Sequence, residues 1–216
     1  EERGHRVIYG DTDSLFVLLG ADGGDADACL AVGAELARAL TARWADRILE
    51  KHGVTSALEL ELETCFSRFL MPTMRSSEVG SKKRYAGVAG NQLIIKGLEA
   101  IRTDWTPLAR RFQKELLRRV FAEEPYAKWI GELSEELFRG ELDRELVYRK
   151  RLRRELSDYT RNVPPHVAAA RQLEAPRGVV EYVITTRGPQ PTEKQTAPLD
   201  YQHYLERQLA PAADVV

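Results

Sequence analysis

Apolar positions along this chain change period several times, and each period predicts a different element. Arg6-Val7-Ile8-Tyr9 is an apolar, β-branched run leading into Gly10-Asp11-Thr12-Asp13-Ser14, and Leu15-Phe16-Val17-Leu18-Leu19 leads out again. Two such runs around a short polar stretch predict a β-hairpin. Gly20 to Asp25 reads as a turn or loop. From about Asp27 to Lys51 the period is helical: Leu36, Leu40, Trp44 and Ile48 step by four, with Leu30, Gly33 and Ala37 on the same side. Gly53 follows, as expected just past a helix end. Leu58-Glu59-Leu60-Glu61-Leu62-Glu63 alternates, which predicts a strand with leucines toward the core and carboxylates on the other face. After a polar loop at 75–81, Lys82-Lys83-Arg84-Tyr85-Ala86-Gly87 reads as a strand, placing Lys83 with Tyr85 on one face and Lys82 with Arg84 on the other. A further strand is expected at Gln92 to Ile95.

The second half is mainly helical. Thr106-Pro107 is an N-cap followed by Pro at the first helical position. Leu108, Phe112, Leu116 and Val120 form a buried stripe, with Arg111, Lys114 and Arg118 on another face. A second helix runs from about Tyr126 to Arg139 and stops at Gly140. Leu146 to Leu152 reads as a short strand or an extended basic segment, and a helix restarts after Pro164-Pro165. Val179 to Thr186 is a last strand, Gly188 to Ala197 a loop, and Asp200 caps a terminal helix carrying Tyr201, Tyr204 and Leu205 on one side. The expected class is α+β: an antiparallel sheet with a covering helix, then a mainly helical part with a few short strands.

Composition narrows the class without naming a chemistry. The 216 residues are 43% hydrophobic and 30% charged, an ordinary globular balance for one large or two small domains. No apolar run approaches the roughly 20 residues of a membrane span, and Glu1-Glu2-Arg3-Gly4-His5 resembles neither a secretory leader nor a transit peptide. Lacking Met and running almost at once into a strand, that start reads as part of a longer chain. Cys29 and Cys65 fall in different elements without metal-ligand spacing, so reduced core thiols of an intracellular protein are expected. The net charge of −1 conceals segregation. Arg110, Arg111, Lys114, Arg118 and Arg119 crowd one stretch, Arg144 with Arg149 to Arg154 another, and acids concentrate at 123–145. Such runs suit either a solvated face or nucleic acid.

Candidate chemistry centres on the hairpin tip. Asp11 and Asp13 read either as ordinary turn residues or as two hard oxygen donors able to hold Mg²⁺ against a substrate phosphate. Glu59 or Glu61 joins them if the alternating strand pairs beside the hairpin. Lys82-Lys83-Arg84-Tyr85 offers cations and a ring, a combination that suits nucleic acid but also a protected edge strand. His166 lacks a carboxylate or Ser partner nearby in sequence and reads as structural or DNA-contacting.

The whole run Tyr9-Gly10-Asp11-Thr12-Asp13-Ser14 resembles the palm signature of family B DNA polymerases, Y-G-D-T-D-S. Lys82-Lys83-Arg84-Tyr85 is similar to that family's K-K-x-Y element, which contacts the minor groove near the primer terminus, with Lys83 and Tyr85 at the matching positions. Lys96-Gly97-Leu98-Glu99-Ala100-Ile101-Arg102-Thr103-Asp104 resembles its K-G-x-E-x-x-R-x-D stretch, which closes the palm and enters the thumb. Leu146 to Leu152, Ser157 to Ala170 and Pro198 to Leu205 are similar to the thumb of bacterial members.

The resemblance implies that residues 1–104 are the C-terminal part of a palm and 105–216 a thumb. It implies two-metal nucleotidyl transfer with two Mg²⁺ in a complete site. Asp13 is then the bridging ligand, Asp11 acts electrostatically or through water, and Thr12 and Ser14 shape the turn. Tyr9 and Thr12 lie near the primer end, and Lys82, Lys83, Arg84, Tyr85 and Arg102 meet DNA. Primer-template DNA, a dNTP and a sliding clamp reached through a C-terminal peptide are the implied partners, in the bacterial cytoplasm at the nucleoid and away from membranes. The family's exonuclease, fingers and further palm Asp are not in this stretch. Weak Mg²⁺ binding and no synthesis by the chain alone are therefore expected. The other reading is a nucleic-acid-binding or assembly module of palm-thumb shape without catalysis. A reverse transcriptase or nucleotidyl cyclase fits the Asp-x-Asp turn but neither the Lys-Lys-Arg-Tyr element nor the thumb motifs.

Overall fold

The computed structural model describes residues 4–20, 26–74, 77–80, 83–160, 163–176 and 178–216. The chain folds as two compact units, one built from 1–70 with 86–94 and the other from 71–85 with 95–216. It is a mixed helix-and-strand structure with small antiparallel sheets. In order the elements are β1 (Arg6–Asp11), β2 (Ser14–Leu18), α1 (Ala26–His52), β3 (Arg68–Leu70), β4 (Thr73–Met74), β5 (Ser77–Gly80), β6 (Tyr85–Ala89), β7 (Gln92–Lys96), α2 (Pro107–Phe121), α3 (Ala127–Phe138), β8 (Tyr148–Arg151), α4 (Pro165–Ala170), β9 (Val179–Thr185), β10 (Gly188–Pro191), α5 (Tyr201–Tyr204) and α6 (Ala210–Ala213).

In the first unit β1 and β2 form the expected hairpin, with Gly10 opposite Leu15 and Tyr9 opposite Phe16. A bulge between Val7 and Tyr9 leaves Ile8 as the extra residue and sharpens the local twist. A run of rings supports the hairpin: Tyr9 and Phe16 have centroids 5.6 Å apart, Phe16 and Phe69 5.3 Å, and Phe69 and Phe66 5.3 Å. Phe69 lies on β3, which pairs antiparallel with β6 in the order β3-β6-β7. Gly87 is required there, because a Cβ would strike the Phe66 ring and sit 2.9 Å from the Arg68 carbonyl.

Two expectations about this unit are corrected. The alternating segment Leu58–Glu63 forms no strand. It runs back along α1 in antiparallel sense. The Leu60 N–H donates to Thr41 Oγ1 at 2.9 Å, and Leu62 fills the space above Gly33, where a Cβ would be 2.8 Å from its Cδ1. Alternation sets which side chains face inward, whereas a ladder also needs a neighbouring backbone. Glu59, Glu61 and Glu63 are exposed. Nor are the cysteines free: Cys29 and Cys65 are joined as a disulfide, with Cα atoms 6.5 Å apart. The antiparallel course of 54–67 along α1 brings together residues separated by 36 positions.

In the second unit Thr106 caps α2, its side chain accepting from the Ala109 N–H, with Pro107 at the first turn. Leu108, Phe112 and Leu116 are buried as the stripe requires and join Leu133, Leu137, Leu146, Val180 and Ile184 in one core. Phe112 stacks on Trp129 at 5.4 Å, and the Arg119 guanidinium lies 4.9 Å over the same indole. β9 is the central strand of β10-β9-β8. Gly188 to Pro191 is thus a strand rather than loop. Its prolines are tolerated because β10 is an edge. Tyr148, Tyr182 and Tyr204 stack together, and burial pushes the Tyr182 hydroxyl up to about 12. The terminal helix begins at Asp200, which caps it through the His203 N–H. A π turn at Leu205–Leu209 interrupts it and turns Gln208 inward.

The disulfide gives a measurable expectation. Under non-reducing conditions Cys29→Ser lowers the unfolding free energy of this chain by about 3–4 kcal/mol, the loop-closure value for such a separation. In dithiothreitol the two proteins give the same denaturation curve. A wild-type curve indifferent to reductant would assign the contact to packing alone.

Candidate functional site

The hairpin register pairs Asp11 with Ser14, so the turn is the dipeptide Thr12-Asp13. Thr12 has φ +49°, a left-handed backbone that a β-branched residue adopts at a cost of roughly 1–3 kcal/mol. Short polar bonds brace it: Thr12 Oγ1 donates to Asp11 Oδ1 at 3.2 Å and Ser14 Oγ to Asp13 Oδ1 at 3.5 Å. Asp11 is half-buried, Asp13 exposed, and Tyr9 half-buried against Phe16. A strained turn therefore holds two carboxylates at the end of a paired hairpin. Their hard oxygens suit Mg²⁺, which commonly takes only one or two protein carboxylates and completes its octahedron with water and substrate phosphate. Among the described residues no group of three or more His, Cys, Asp or Glu side chains is placed to hold a metal.

The basic element is built differently from the expected strand. Lys82 lies outside the described residues. Lys83 is exposed with φ +62°, and β6 begins only at Tyr85. The two-residue pleat therefore does not govern Lys83 and does not put it on the face of Tyr85. The left-handed backbone is held by Gly97, itself at φ +65°, whose missing side chain lets it lie directly on the Lys83 carbonyl. Arg84 is half-buried and paired: its Nη2 donates to Glu99 Oε1 at 2.6 Å. Glu99 is 6% exposed.

Other predicted cations are also committed. Arg102 grips Asp104 in a two-pronged bond of 3.0 and 2.9 Å. That bond raises the Arg102 pKa and holds the Asp104 carboxyl below its ordinary range. Arg111 makes a similar fork to Glu145, Arg118 bonds Glu115 and Glu124, and Arg149 pairs with Glu181. Arg151, Arg153 and Arg154 are exposed. His166 is 6% exposed, packed edge-on against Tyr159. Burial lowers its pKa, which fits a neutral structural side chain.

Three buried polar residues escaped the sequence reading. Glu99 is visible in the sequence only as part of the Lys96–Asp104 motif. Gln113 and Gln208 are fully or almost fully buried and carry chains of hydrogen bonds. Gln113 follows Phe112 and so borders the apolar stripe of α2. A polar residue in that position was the available signal.

Comparison with known proteins places the chain. The sequence model of DNA polymerase family B matches residues 1–216. DNA polymerase II of Escherichia coli (strain K12) is 51% identical over 99% of this chain, which spans 29% of that protein's length. A DNA polymerase of Thermococcus kodakarensis is 28% identical over 99% of this chain and 13% of its own length. The solved structure of the family B DNA polymerase from Pyrobaculum calidifontis superposes with a TM-score of 0.63 at 26% identity, covering all of this chain and 27% of that one.

Gly97 is the position where the basic element is most sensitive to a small change. Gly97→Ala destabilises the chain by about 1–3 kcal/mol, because the backbone is left-handed and the new Cβ would strike the Lys83 carbonyl. Chemical denaturation measures the loss, and an unchanged midpoint would show that Lys83 is not held by this contact.

Proposed function

This chain belongs to DNA polymerase family B, and on that premise we propose that it is the C-terminal palm-and-thumb part of a DNA-directed DNA polymerase, with 1–104 in the palm and 105–216 the thumb. The observation that carries the reading is the Tyr9–Ser14 hairpin, which presents Asp11 and Asp13 from a strained, braced turn. We assign Asp13, exposed at the tip, as the direct metal ligand. Asp11, half-buried and bonded by Thr12 Oγ1, supports the site electrostatically. When bound, two Mg²⁺ ions would favour ionisation of the primer 3′-hydroxyl and neutralise charge on the α-phosphate and the leaving pyrophosphate. Tyr9, fixed by its ring contact with Phe16, borders the primer end.

Lys83 is exposed, and with Tyr85 it is proposed to contact primer-template duplex. Arg84 and Arg102, engaged with Glu99 and Asp104, shape that surface rather than reading DNA. The remaining partners are a dNTP and a sliding clamp, and the proposed setting is the bacterial nucleoid. No described helix is long and apolar enough to cross a membrane.

Two substitutions in the full-length polymerase test the reading. Asp13→Ala abolishes primer extension while the duplex Kd stays within about threefold, since the lost group serves chemistry rather than docking. Near-normal extension would remove Asp13 from the metal site. Lys83→Ala weakens duplex binding uniformly across sequences and lowers the slope of log Kd against log salt by about one. An unchanged slope would reassign Lys83 to structure.

A further inference from the structure

A buried chain of hydrogen bonds runs from the basic element into the thumb helix. Arg84 Nη2 bonds Glu99 Oε1 at 2.6 Å, and Glu99 Oε2 accepts from Gln113 Nε2 at 2.8 Å. Gln113 Oε1 accepts the Ala100 N–H at 2.6 Å, while its Nε2 also donates to the Ala212 carbonyl at 3.0 Å. Gln113 is wholly buried. Both its amide protons and its oxygen are used, and a flipped amide would set oxygen against a carboxylate and a carbonyl. Only one orientation satisfies the network.

Such a network is an expensive way to fill space. A buried carboxylate carries a desolvation cost that apolar packing avoids, and the neighbouring positions Leu108, Phe112 and Leu116 are apolar and equally buried. The ion pair has a geometric use instead. Arg84 is the residue between Lys83 and Tyr85, and Lys83 sits in a left-handed conformation just before β6 begins. Its backbone is fixed on one side by Gly97 and on the other by Arg84, which Glu99 and Gln113 hold.

We propose that Glu99 and Gln113 are positioning residues that set Lys83 and Tyr85 for duplex binding, with Arg84 as the connecting group. The inference rests on the reading of Lys83 as a DNA contact. Duplex affinity depends on the network, whereas the chemical step at saturating DNA does not.

The test is a double-mutant cycle in the full-length polymerase with Glu99→Gln, which keeps the size, removes the charge that holds Arg84 and turns one of the two acceptors into a donor. Expected is a rise of about tenfold in primer-template Kd and in the KM for duplex, a coupling of ordinary size for contacting residues. The single-turnover rate at saturating duplex stays within about twofold. Adding Glu99→Gln to the combined Lys83→Ala and Tyr85→Ala variant changes Kd no further, because Glu99 acts through those two residues. Gln113→Met, read by the same assays, gives the same pattern if Glu99→Gln fails to fold, and thermal melting establishes which variants are folded. Additive losses, or a folded Glu99→Gln and Gln113→Met with unchanged Kd, would overturn the positioning role. If Lys83→Ala alone leaves Kd and its salt slope unchanged, the DNA-contact reading fails instead, and the two failures are distinct.

Discussion

Glu99 is a carboxylate almost removed from water, and it must be satisfied wherever the chain places it. Two groups meet that demand from different parts of the second unit, the Arg84 guanidinium and the Gln113 amide, and the same amide also donates to the Ala212 carbonyl near the C-terminus. One buried charge thus ties the basic element, α2 and α6 into a single hydrogen-bonded set. A parallel link secures the same helix at its start, where Gln208 Oε1 accepts from both the backbone and the hydroxyl of Thr106. The π turn that aims Gln208 inward is an irregularity with a structural purpose.

The carboxylate turn relies on a different physics. The constraint is backbone strain at Thr12, opposed by ladder pairing on both sides and by a run of aromatic rings behind the hairpin. A strained residue over-determined by its surroundings gives fixed carboxylates.

The basic residues show how little a charge count says about a surface. The run 110–119 is engaged with Glu115, Glu124 and Glu145 through Arg111, Arg118 and Arg119. Exposed pairs of this kind add little stability, but they cancel much of the field that the sequence suggests. What is left for an anionic partner is set by pairing, not by composition.

Elements whose cause is local were legible in the sequence. The α2 start follows from Thr106 and Pro107, its buried face from spacing, the α3 end from Gly140 at φ +79°, and the hairpin with its turn from two apolar runs around Gly10–Ser14. Each depends on residues a few positions apart. Tertiary structure alone decided the rest. The alternation at Leu58–Glu63 fixed inward faces, yet the segment became a flank of α1 because no strand lay beside it. Cys29 and Cys65 met because that flank runs antiparallel to the helix. Lys83 left the pleat because Gly97 admits its carbonyl, and Arg84 was paired by Glu99. In each case the partner is distant in sequence, and periodicity carries no information about which distant group will arrive.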